Sequence, residues 1–244
     1  MKPLSAYLPE IPAPVEEAET APDPQADARA LDRWLAACGF GARYRTATWE
    51  AVEPPEFAER LRAYCCDLGA RLAAGDGLLI GGGMGVGKTR ALALIAGAAM
   101  NVEIVTGYVR GDDGLGNEVL LPVTRPPEVR YVFAPNLYQR MFDRTDEARA
   151  DVADWETCDL LLLDDFDRIH LSGNADWLAG RVESFAEARY ANLRSTVVTL
   201  NNAAPLEDAR LARTVDRWAE TLVTVMVRGE SRRAPKALYT EPGE

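Results

Sequence analysis

The chain has 244 residues, of which 48% are hydrophobic and 27% are charged, and its formal net charge is −11. This length and composition suit one packed domain of ordinary size with a small appendage, and they exclude a chain that is disordered throughout. The acidic balance excludes a protein that coats nucleic acid with a uniformly basic surface.

The N-terminus has neither the apolar core nor the cleavage site of a signal peptide. No apolar run in the sequence approaches the roughly 20 residues that a membrane-spanning helix needs. These two observations predict a cytoplasmic protein that has no membrane partner.

Residues 1–26 are predicted to form a disordered, acidic tail. Its prolines, at positions 3, 9, 12, 14, 22 and 24, interrupt any helix, and the residues between them are largely alanine and glutamate. A segment of this kind either keeps the protein in solution or acts as an arm that folds on a partner. The sequence leaves both interpretations open.

A short helix and a linker are predicted over residues 27–52, ahead of the main domain at 53–236. Apolar residues recur at helical spacing in the first part of this segment, and residues 40–52 are expected to be extended. Pro54–Pro55 then opens a longer helix that reaches about residue 74. The apolar stripe of that helix comprises Phe57, Leu61, Tyr64, Cys65, Leu68 and Leu72.

The rest of the chain alternates strands and helices. Short apolar runs predict strands at residues 78–80, 129–134, 159–163, 195–200 and 223–227. Periodic segments predict helices at residues 88–100, 135–142, 175–192 and 206–222. This alternation predicts an α/β fold with a parallel five-stranded sheet and helices on both faces, followed by a short tail at 237–244.

Residues 102–127 interrupt the alternation and are predicted to form a β-hairpin insertion. Two apolar stretches, Val102–Val109 and Val119–Val123, flank a glycine-rich turn that contains Asp113–Gly114. The insertion is either a decorated loop or a finger that touches DNA or a neighbouring subunit, and the sequence does not separate these roles.

Residues 82–89, which read GGMGVGKT, fit the phosphate-binding loop (P-loop) pattern G-x-x-x-x-G-K-[ST]. The segment follows a predicted strand and opens a predicted helix, so a chance glycine-rich turn is a poor explanation. Backbone N–H groups and the helix N-terminus attract phosphate there. Lys88 is expected to reach the β- and γ-phosphates of ATP, and Thr89 to ligate Mg²⁺. The predicted nucleotide-binding residues are Gly82, Gly83, Met84, Gly85, Val86, Gly87, Lys88, Thr89 and Arg90.

The run LLLLDD at residues 160–165 supplies the carboxylates that a P-loop needs. Four apolar residues predict a buried strand, which places Asp164 at the edge of the sheet where α/β folds bind ligands. Asp164 is expected to hold Mg²⁺, and Asp165 to polarise an attacking water. A helix cap after a buried strand would explain one aspartate, but it explains the pair less well.

The strand that ends at Leu200 is followed by Asn201–Asn202. An amide at the end of a strand beside the P-loop can orient water against the γ-phosphate. Asparagine is also common in turns, so the position of Asn201 after the two other motifs is what favours a catalytic role.

These residues resemble the AAA+ ATPases of the DnaC/DnaI/IstB type, which are replicative helicase loaders and their transposon-encoded relatives. The resemblance covers roughly residues 40–235 and implies an AAA+ P-loop NTPase core with no C-terminal lid domain. It also implies slow, Mg²⁺-dependent ATP hydrolysis. The segments that carry it are GGMGVGKT (82–89), LLLLDD (160–165), EARYANLRSTVVTLNN (187–202), DRW (216–218) and VRGESRR (227–233).

The resemblance also implies roles for single residues. Asn201 matches the sensor asparagine, and Arg217 matches the arginine finger that reaches a neighbour's γ-phosphate, although Arg210 or Arg213 is an alternative on the same segment. Three further residues, Arg189, Tyr190 and Arg233, match the family's RY element and its late arginine. In the linker that resembles the family's adenine-side segment, the candidates for contacts with the base are Trp49 and Val52.

The leading hypothesis from the resemblance is a helicase loader that binds single-stranded DNA and a hexameric replicative helicase as an ATP-dependent ring or spiral. Alternatives are a transposition helper, a small-molecule kinase, and a nucleotide-sensing scaffold with little turnover; the scaffold is suggested by Asp165 in place of the commoner glutamate. DNA binding must be local on so acidic a chain. The candidate residues are Arg110 in the insertion and Arg168, His170, Ser172 and Asn174 in the loop 166–174.

Overall fold

The computed structural model describes residues 24–112, 114, 117–169, 175–229 and 231. The helices are α1 (Pro24–Ala37), α2 (Pro55–Cys66), α3 (Leu68–Ala74), α4 (Lys88–Ala99), α5 (Ala134–Phe142), α6 (Asp146–Thr157), α7 (Ala175–Ala191) and α8 (Ala212–Thr221). The strands are β1 (Gly77–Gly82), β2 (Ile104–Asp112), β3 (Glu118–Arg125), β4 (Val129–Phe133), β5 (Leu160–Asp164), β6 (Ser195–Leu200) and β7 (Leu222–Val227). The predictions made for residues 1–23, Asp113, His170, Ser172, Asn174, Arg233 and 237–244 lie outside the described residues.

Five of the strands form one sheet in the order β4-β5-β6-β1-β7, and every neighbouring pair is parallel. The remaining two strands, β2 and β3, pair with each other in antiparallel register. The predicted α/β fold class, the five-stranded parallel sheet and the hairpin are therefore confirmed. Within the described parts of the chain, no helix combines the length and the apolar character that crossing a membrane requires.

The sheet is covered on both faces because successive side chains of a strand point to opposite sides. Leu78 and Ile80 of β1 belong to the core that α1–α4 cover. Leu79, between them, belongs to a second core that α5–α8 cover. The central strands β1, β5 and β6 are therefore buried at every position, which is why the cores of β1 and β5 appear in the sequence as continuous apolar runs.

The helices differ from their predicted bounds where local chemistry interrupts or extends them. α1 begins at Pro24 rather than at residue 27, because proline is well tolerated in the first turn of a helix. The helix predicted to run to residue 74 is divided at Asp67, whose φ of −105° and ψ of 20° end α2. Residues 40–52, predicted to be extended, form turns and a short 3-10 helix at Trp49–Ala51.

α6 was not predicted, because its sequence DEARADVADWET shows little apolar periodicity. Only Ala148 and Val152 of this helix are buried. Its start is fixed by Thr145, whose hydroxyl accepts a hydrogen bond from the Ala148 N–H at 3.2 Å. The helix predicted at 206–222 is reduced to α8, and two 3-10 turns precede it.

The β2–β3 hairpin is anchored at the amino-terminal edge of the sheet, opposite the ends of the strands that carry the motifs. Arg125, at the end of β3, donates to the Asp159 carboxylate at 2.7 and 3.2 Å. Arg194 and the Glu128 N–H donate to the same carboxylate, which is almost fully buried. One buried acid thereby connects the hairpin to the starts of β5 and β6.

Arg189, in the predicted RY element, is buried and supports the fold. Its guanidinium donates to the carbonyls of Trp155 (2.7 Å), Glu156 (3.1 Å) and Cys158 (3.0 Å) at the C-terminal end of α6. It also donates to the Thr196 hydroxyl at 2.9 Å, on β6. Burial lowers the pKa of this arginine, but the ring of acceptors compensates for the lost hydration.

Arg189→Met should lower the free energy of unfolding by about 3 kcal/mol, since several buried acceptors lose a charged donor. Urea denaturation followed by circular dichroism measures this change. The matched control is Arg181→Met, which removes an exposed arginine from the same helix and should change stability by less than about 0.5 kcal/mol. Equal stabilities of the two variants would show that the Arg189 contacts do not support the fold.

Candidate nucleotide site

The carboxyl ends of β1, β5 and β6 lie side by side and carry the three predicted motifs. β6 lies between the other two strands, so the P-loop, Asp164–Asp165 and Asn201 meet at one edge of the sheet. They surround an open cleft of about 490 Å³. The described residues that line it are Arg43, Tyr44, Met84, Gly85, Gly87, Lys88, Thr89, Arg90, Tyr131, Phe133, Asp164, Asp165, Arg168 and Asn201.

The P-loop has the backbone conformation that its glycines allow. Gly85 and Gly87 have φ angles of 79° and 102°, in the left-handed region that favours glycine. Gly87 precedes the first turn of α4, so the N-terminus of that helix faces the cleft. A Cβ atom at Gly85 would lie 2.2 Å from the Ser231 hydroxyl, so residue 231 packs directly on the loop. Val86 turns away from the cleft into the core.

Lys88 lies buried at the base of the loop. Its ammonium group donates to the carbonyls of Gly82 and Gly83, each at 2.7 Å, and to the Asn201 side-chain oxygen at 2.8 Å. The P-loop cation and the predicted sensor amide are therefore in direct contact. A cation in the first turn of a helix whose N-terminus faces the cleft fits the phosphates of a nucleotide.

Asp164 receives hydrogen bonds from three hydroxyl groups. Thr89 and Tyr131 donate to one carboxylate oxygen at 2.8 and 3.0 Å, and Thr199 donates to the other. Burial raises the pKa of Asp164, and these donors oppose the shift because they stabilise the anion. A threonine hydroxyl and a carboxylate held together provide the hard oxygen ligands that Mg²⁺ prefers, so this pair fits the ion.

Asp165 lies next to Asp164 but points into the cleft with a different set of partners. Its φ of 55° is unusual for a residue with a side chain, and its N–H donates to the Thr199 hydroxyl at 2.9 Å. One carboxylate oxygen accepts from the Asn201 amide at 3.1 Å, and the other lies 3.3 Å from the Arg168 guanidinium. The two aspartates therefore face separate parts of the site.

Asn201 connects both sides of the cleft. Its oxygen faces Lys88, and its nitrogen donates to Asp165 and, at 3.2 and 3.3 Å, to Asp167. Asp167 also accepts the Asn201 backbone N–H at 2.9 Å. Asp167 thus fixes the direction of the amide, although no motif in the sequence indicates this role.

Several residues of the cleft were missed by sequence reasoning. Tyr131 and Phe133 lie on β4, at the carboxyl end of the strand beside β5. The two residues alternate along a predicted strand, so their side chains lie on the same face of the sheet. This pattern would indicate a place in the cleft only if β4 were known to be the neighbour of β5. Arg168 was assigned to DNA binding, but its guanidinium pairs with Asp165 and lies 5.5 Å from the centre of the Phe133 ring.

The predicted adenine-side residues do not line the cleft within the part of the chain that the structure describes. The Arg62 guanidinium lies 5.3 Å from the centre of the Trp49 ring, and Val52 is packed in the core. Arg43 and Tyr44, from the start of the same linker, line the cleft instead.

Arg217 lies on α8 and does not belong to the described lining of its own cleft. Its guanidinium donates to Glu187 at 2.8 Å and lies 4.9 Å from the centre of the Tyr190 ring, both on α7. One turn earlier on α8, Arg213 pairs with Glu183 at 2.9 Å. The two arginines thus make similar ion pairs, and both remain candidates for a residue that acts on a neighbouring subunit.

No protein-family model matches the sequence, and no curated protein matches it. Solved structures do match: the DnaC helicase loader (20% identity, 77% of this chain and 100% of the other, TM-score 0.54) and DnaI (18%, 82% and 100%, 0.55). The replication initiator DnaA, bound to AMPPCP and single-stranded DNA, also matches at 19% identity, 79% of this chain and a TM-score of 0.54. The matched region spans about half (52%) of that DnaA chain. The chain therefore has the α/β fold of DnaC, DnaI and DnaA, and the likeness to DnaC and DnaI agrees with the fold that the sequence resemblance implied.

Proposed function

We propose that this protein is an ATP-dependent DNA replication factor of the helicase-loader kind. In this proposal it binds ATP with Mg²⁺, assembles into a ring or spiral, holds single-stranded DNA and delivers a hexameric replicative helicase in the cytoplasm. The observation that supports it most is that Lys88, Asn201 and the two aspartates line one cleft, in which Asn201 contacts both Lys88 and Asp165. The fold that carries this cleft is shared with DnaC and DnaI.

Each group in the cleft has a chemical task in this proposal. Bound MgATP would supply the phosphoanhydride bond that is hydrolysed. Lys88 would neutralise the phosphates, and Thr89 and Asp164 would hold the metal. Asp165 would accept a proton from water, and Asn201 would hold that water in place by its fixed amide.

Exchanging each aspartate for asparagine separates these tasks. Asp165→Asn should retain ATP binding but hydrolyse ATP about 10²- to 10⁴-fold more slowly, because the proton acceptor is lost. Asp164→Asn should in addition require more Mg²⁺, because an amide is a weaker ligand than a carboxylate. Phosphate release at a series of Mg²⁺ concentrations measures both effects. Normal turnover by Asp165→Asn would assign activation of water to another residue.

The nucleic-acid partner is supported mainly by the fold, because acidic side chains pair with both of the candidate arginines that the structure describes. DnaA, which shares the fold, was solved with single-stranded DNA. Arg110, on the hairpin, is highly exposed and pairs with Glu118 at 3.0 Å, so its charge is partly balanced. The Arg168 guanidinium pairs with Asp165 at 3.3 Å, so its charge is also partly balanced.

The test of the proposed function combines two measurements on the full chain. The tagged protein should retain the replicative helicase of the same genome in a pull-down with ATP, and retention should fall when ATP is omitted. Single-stranded DNA should stimulate release of free phosphate. Retention of a transposase in place of the helicase would favour the transposition helper.

A nucleotide-sensing scaffold with little turnover is the second candidate, and the partners of Asp165 favour it. Both of its carboxylate oxygens are engaged, one by Asn201 and the other by Arg168. A carboxylate whose two oxygens are both engaged is less available to accept a proton from water. ATP-dependent assembly without measurable phosphate release, even with DNA and helicase present, would select the scaffold.

A further inference from the structure

Tyr131 is partly buried beside the proposed metal site and has contacts on two sides. Its hydroxyl donates to Asp164 at 3.0 Å, on the carboxylate oxygen that also accepts from Thr89. The position of this tyrosine therefore affects the direction in which the Asp164 carboxylate points.

The other side of Tyr131 contacts the segment that follows α1. Its ring stacks on Phe40, with 4.3 Å between ring centres and an interplanar angle of 28°. Its backbone N–H donates to the Cys38 carbonyl at 2.7 Å. α1, which leads into this segment, is attached to α4, the helix that begins with Lys88, because the Trp34 indole N–H donates to the Ala96 carbonyl at 2.7 Å.

We infer that Tyr131 is a positioning residue that holds the Asp164 carboxylate in the orientation that binds Mg²⁺. Because its ring stacks on Phe40, the position of Phe40 affects that orientation. This inference rests on the proposed function, because it assigns Asp164 to the metal. Hydrogen-bond partners of metal ligands typically change metal affinity by about 10- to 100-fold when they are removed. The segment 38–40 would thus tune the metal dependence of the ATP site from outside the P-loop.

Tyr131→Phe tests the positioning role, because it retains the ring on Phe40 and removes a single hydroxyl. The affinity of the full chain for a fluorescently labelled ATP analogue is measured in EDTA and at a series of Mg²⁺ concentrations. The Mg²⁺ concentration that gives half of the affinity gain should rise about 10-fold, while the affinity in EDTA stays unchanged. A residue with a merely structural role would change both affinities together.

The matched control is Tyr138→Phe. Tyr138 is a buried tyrosine, and its hydroxyl donates to the Phe166 backbone carbonyl at 2.9 Å instead of to Asp164. This variant should show the Mg²⁺ dependence of the unaltered chain. If Tyr138→Phe and Tyr131→Phe shift the Mg²⁺ dependence equally, the effect is general loss of a buried hydrogen bond and the inference is wrong.

The coupling to Phe40 is tested by a double-mutant cycle. Phe40→Leu should raise the Mg²⁺ requirement of the unaltered chain, but it should add nothing in the Tyr131→Phe background, because the hydroxyl that carries the effect is absent there. Additive shifts would overturn the coupling. If all variants bind the ATP analogue with the same Mg²⁺ dependence, this inference is wrong and the proposed function is unaffected. If the unaltered chain binds no ATP analogue, the proposed function is wrong as well.

Discussion

Lys88→Ala should abolish ATP hydrolysis and weaken ATP binding by about 10- to 100-fold, because a charged hydrogen bond to phosphate is lost. The change also frees Asn201, whose side-chain oxygen accepts from the Lys88 ammonium at 2.8 Å. The substitution would therefore remove both the cation that binds the phosphates and the hydrogen bond that holds the Asn201 amide in place. Isothermal titration with ATP and a phosphate-release assay measure the two losses.

The control for this variant is Arg62→Ala, which also removes one positive charge but lies on α2 over Trp49, outside the described lining of the cleft. It should bind and hydrolyse ATP as the unaltered chain does. Circular dichroism should show that Lys88→Ala retains its helices. Equal hydrolysis by Lys88→Ala and the unaltered chain would remove the P-loop assignment.

Arg217→Ala should reduce hydrolysis about 10³- to 10⁵-fold if its guanidinium completes a neighbour's site as an arginine finger. In the single chain this guanidinium is held on α7 by Glu187 and Tyr190, outside the described lining of its own cleft. Its effect on catalysis should therefore depend on assembly. Specific activity of the unaltered chain should rise with protein concentration.

Mixing two inactive variants tests this action between subunits. Arg217→Ala retains an intact P-loop, and Lys88→Ala retains an intact finger, so a mixed ring contains sites in which one subunit supplies what the other lacks. The mixture should regain part of the activity. A mixture that stays inactive, together with activity that is independent of concentration, would show that each chain works alone.

Arg213→Ala is the matched variant for Arg217→Ala, since Arg213 lies on the same helix and makes a similar ion pair with Glu183. If the finger is Arg217, loss of Arg213 should leave most hydrolysis intact. The reverse pattern, in which only Arg213→Ala is inactive and complements Lys88→Ala, would move the finger one turn along α8.

The sequence was sufficient to predict the elements whose pattern is local. Short runs rich in apolar and β-branched residues identified all five strands of the sheet, and the turn-flanked apolar stretches identified the hairpin. α6 was missed because only Ala148 and Val152 of this helix are buried, and the break at Asp67 was missed because the apolar stripe continues across it. Patterns of apolar residues indicate which face is buried, but they do not show a change of backbone direction.

In the candidate site too, the residues with a local sequence pattern were predictable, and those that depend on tertiary contacts were not. The P-loop, Asp164, Asp165 and Asn201 follow strand ends, and the parallel sheet brings them together. Tyr131 and Asp167 act through contacts that depend on which strands are neighbours and on how a short turn folds. Those contacts join residues that are 33 and 34 positions apart, and no local pattern in the sequence announces them.

The anchoring of the hairpin makes the insertion part of the charge balance of the core. Asp159 is buried and is neutralised by two arginines, of which Arg194 belongs to the α7–β6 connection and Arg125 to the insertion itself. A buried carboxylate is tolerated only when cations or N–H groups compensate for its lost hydration. The insertion is therefore not a removable module: a chain without it would keep the acid and lose half of the positive charge that allows it to be buried.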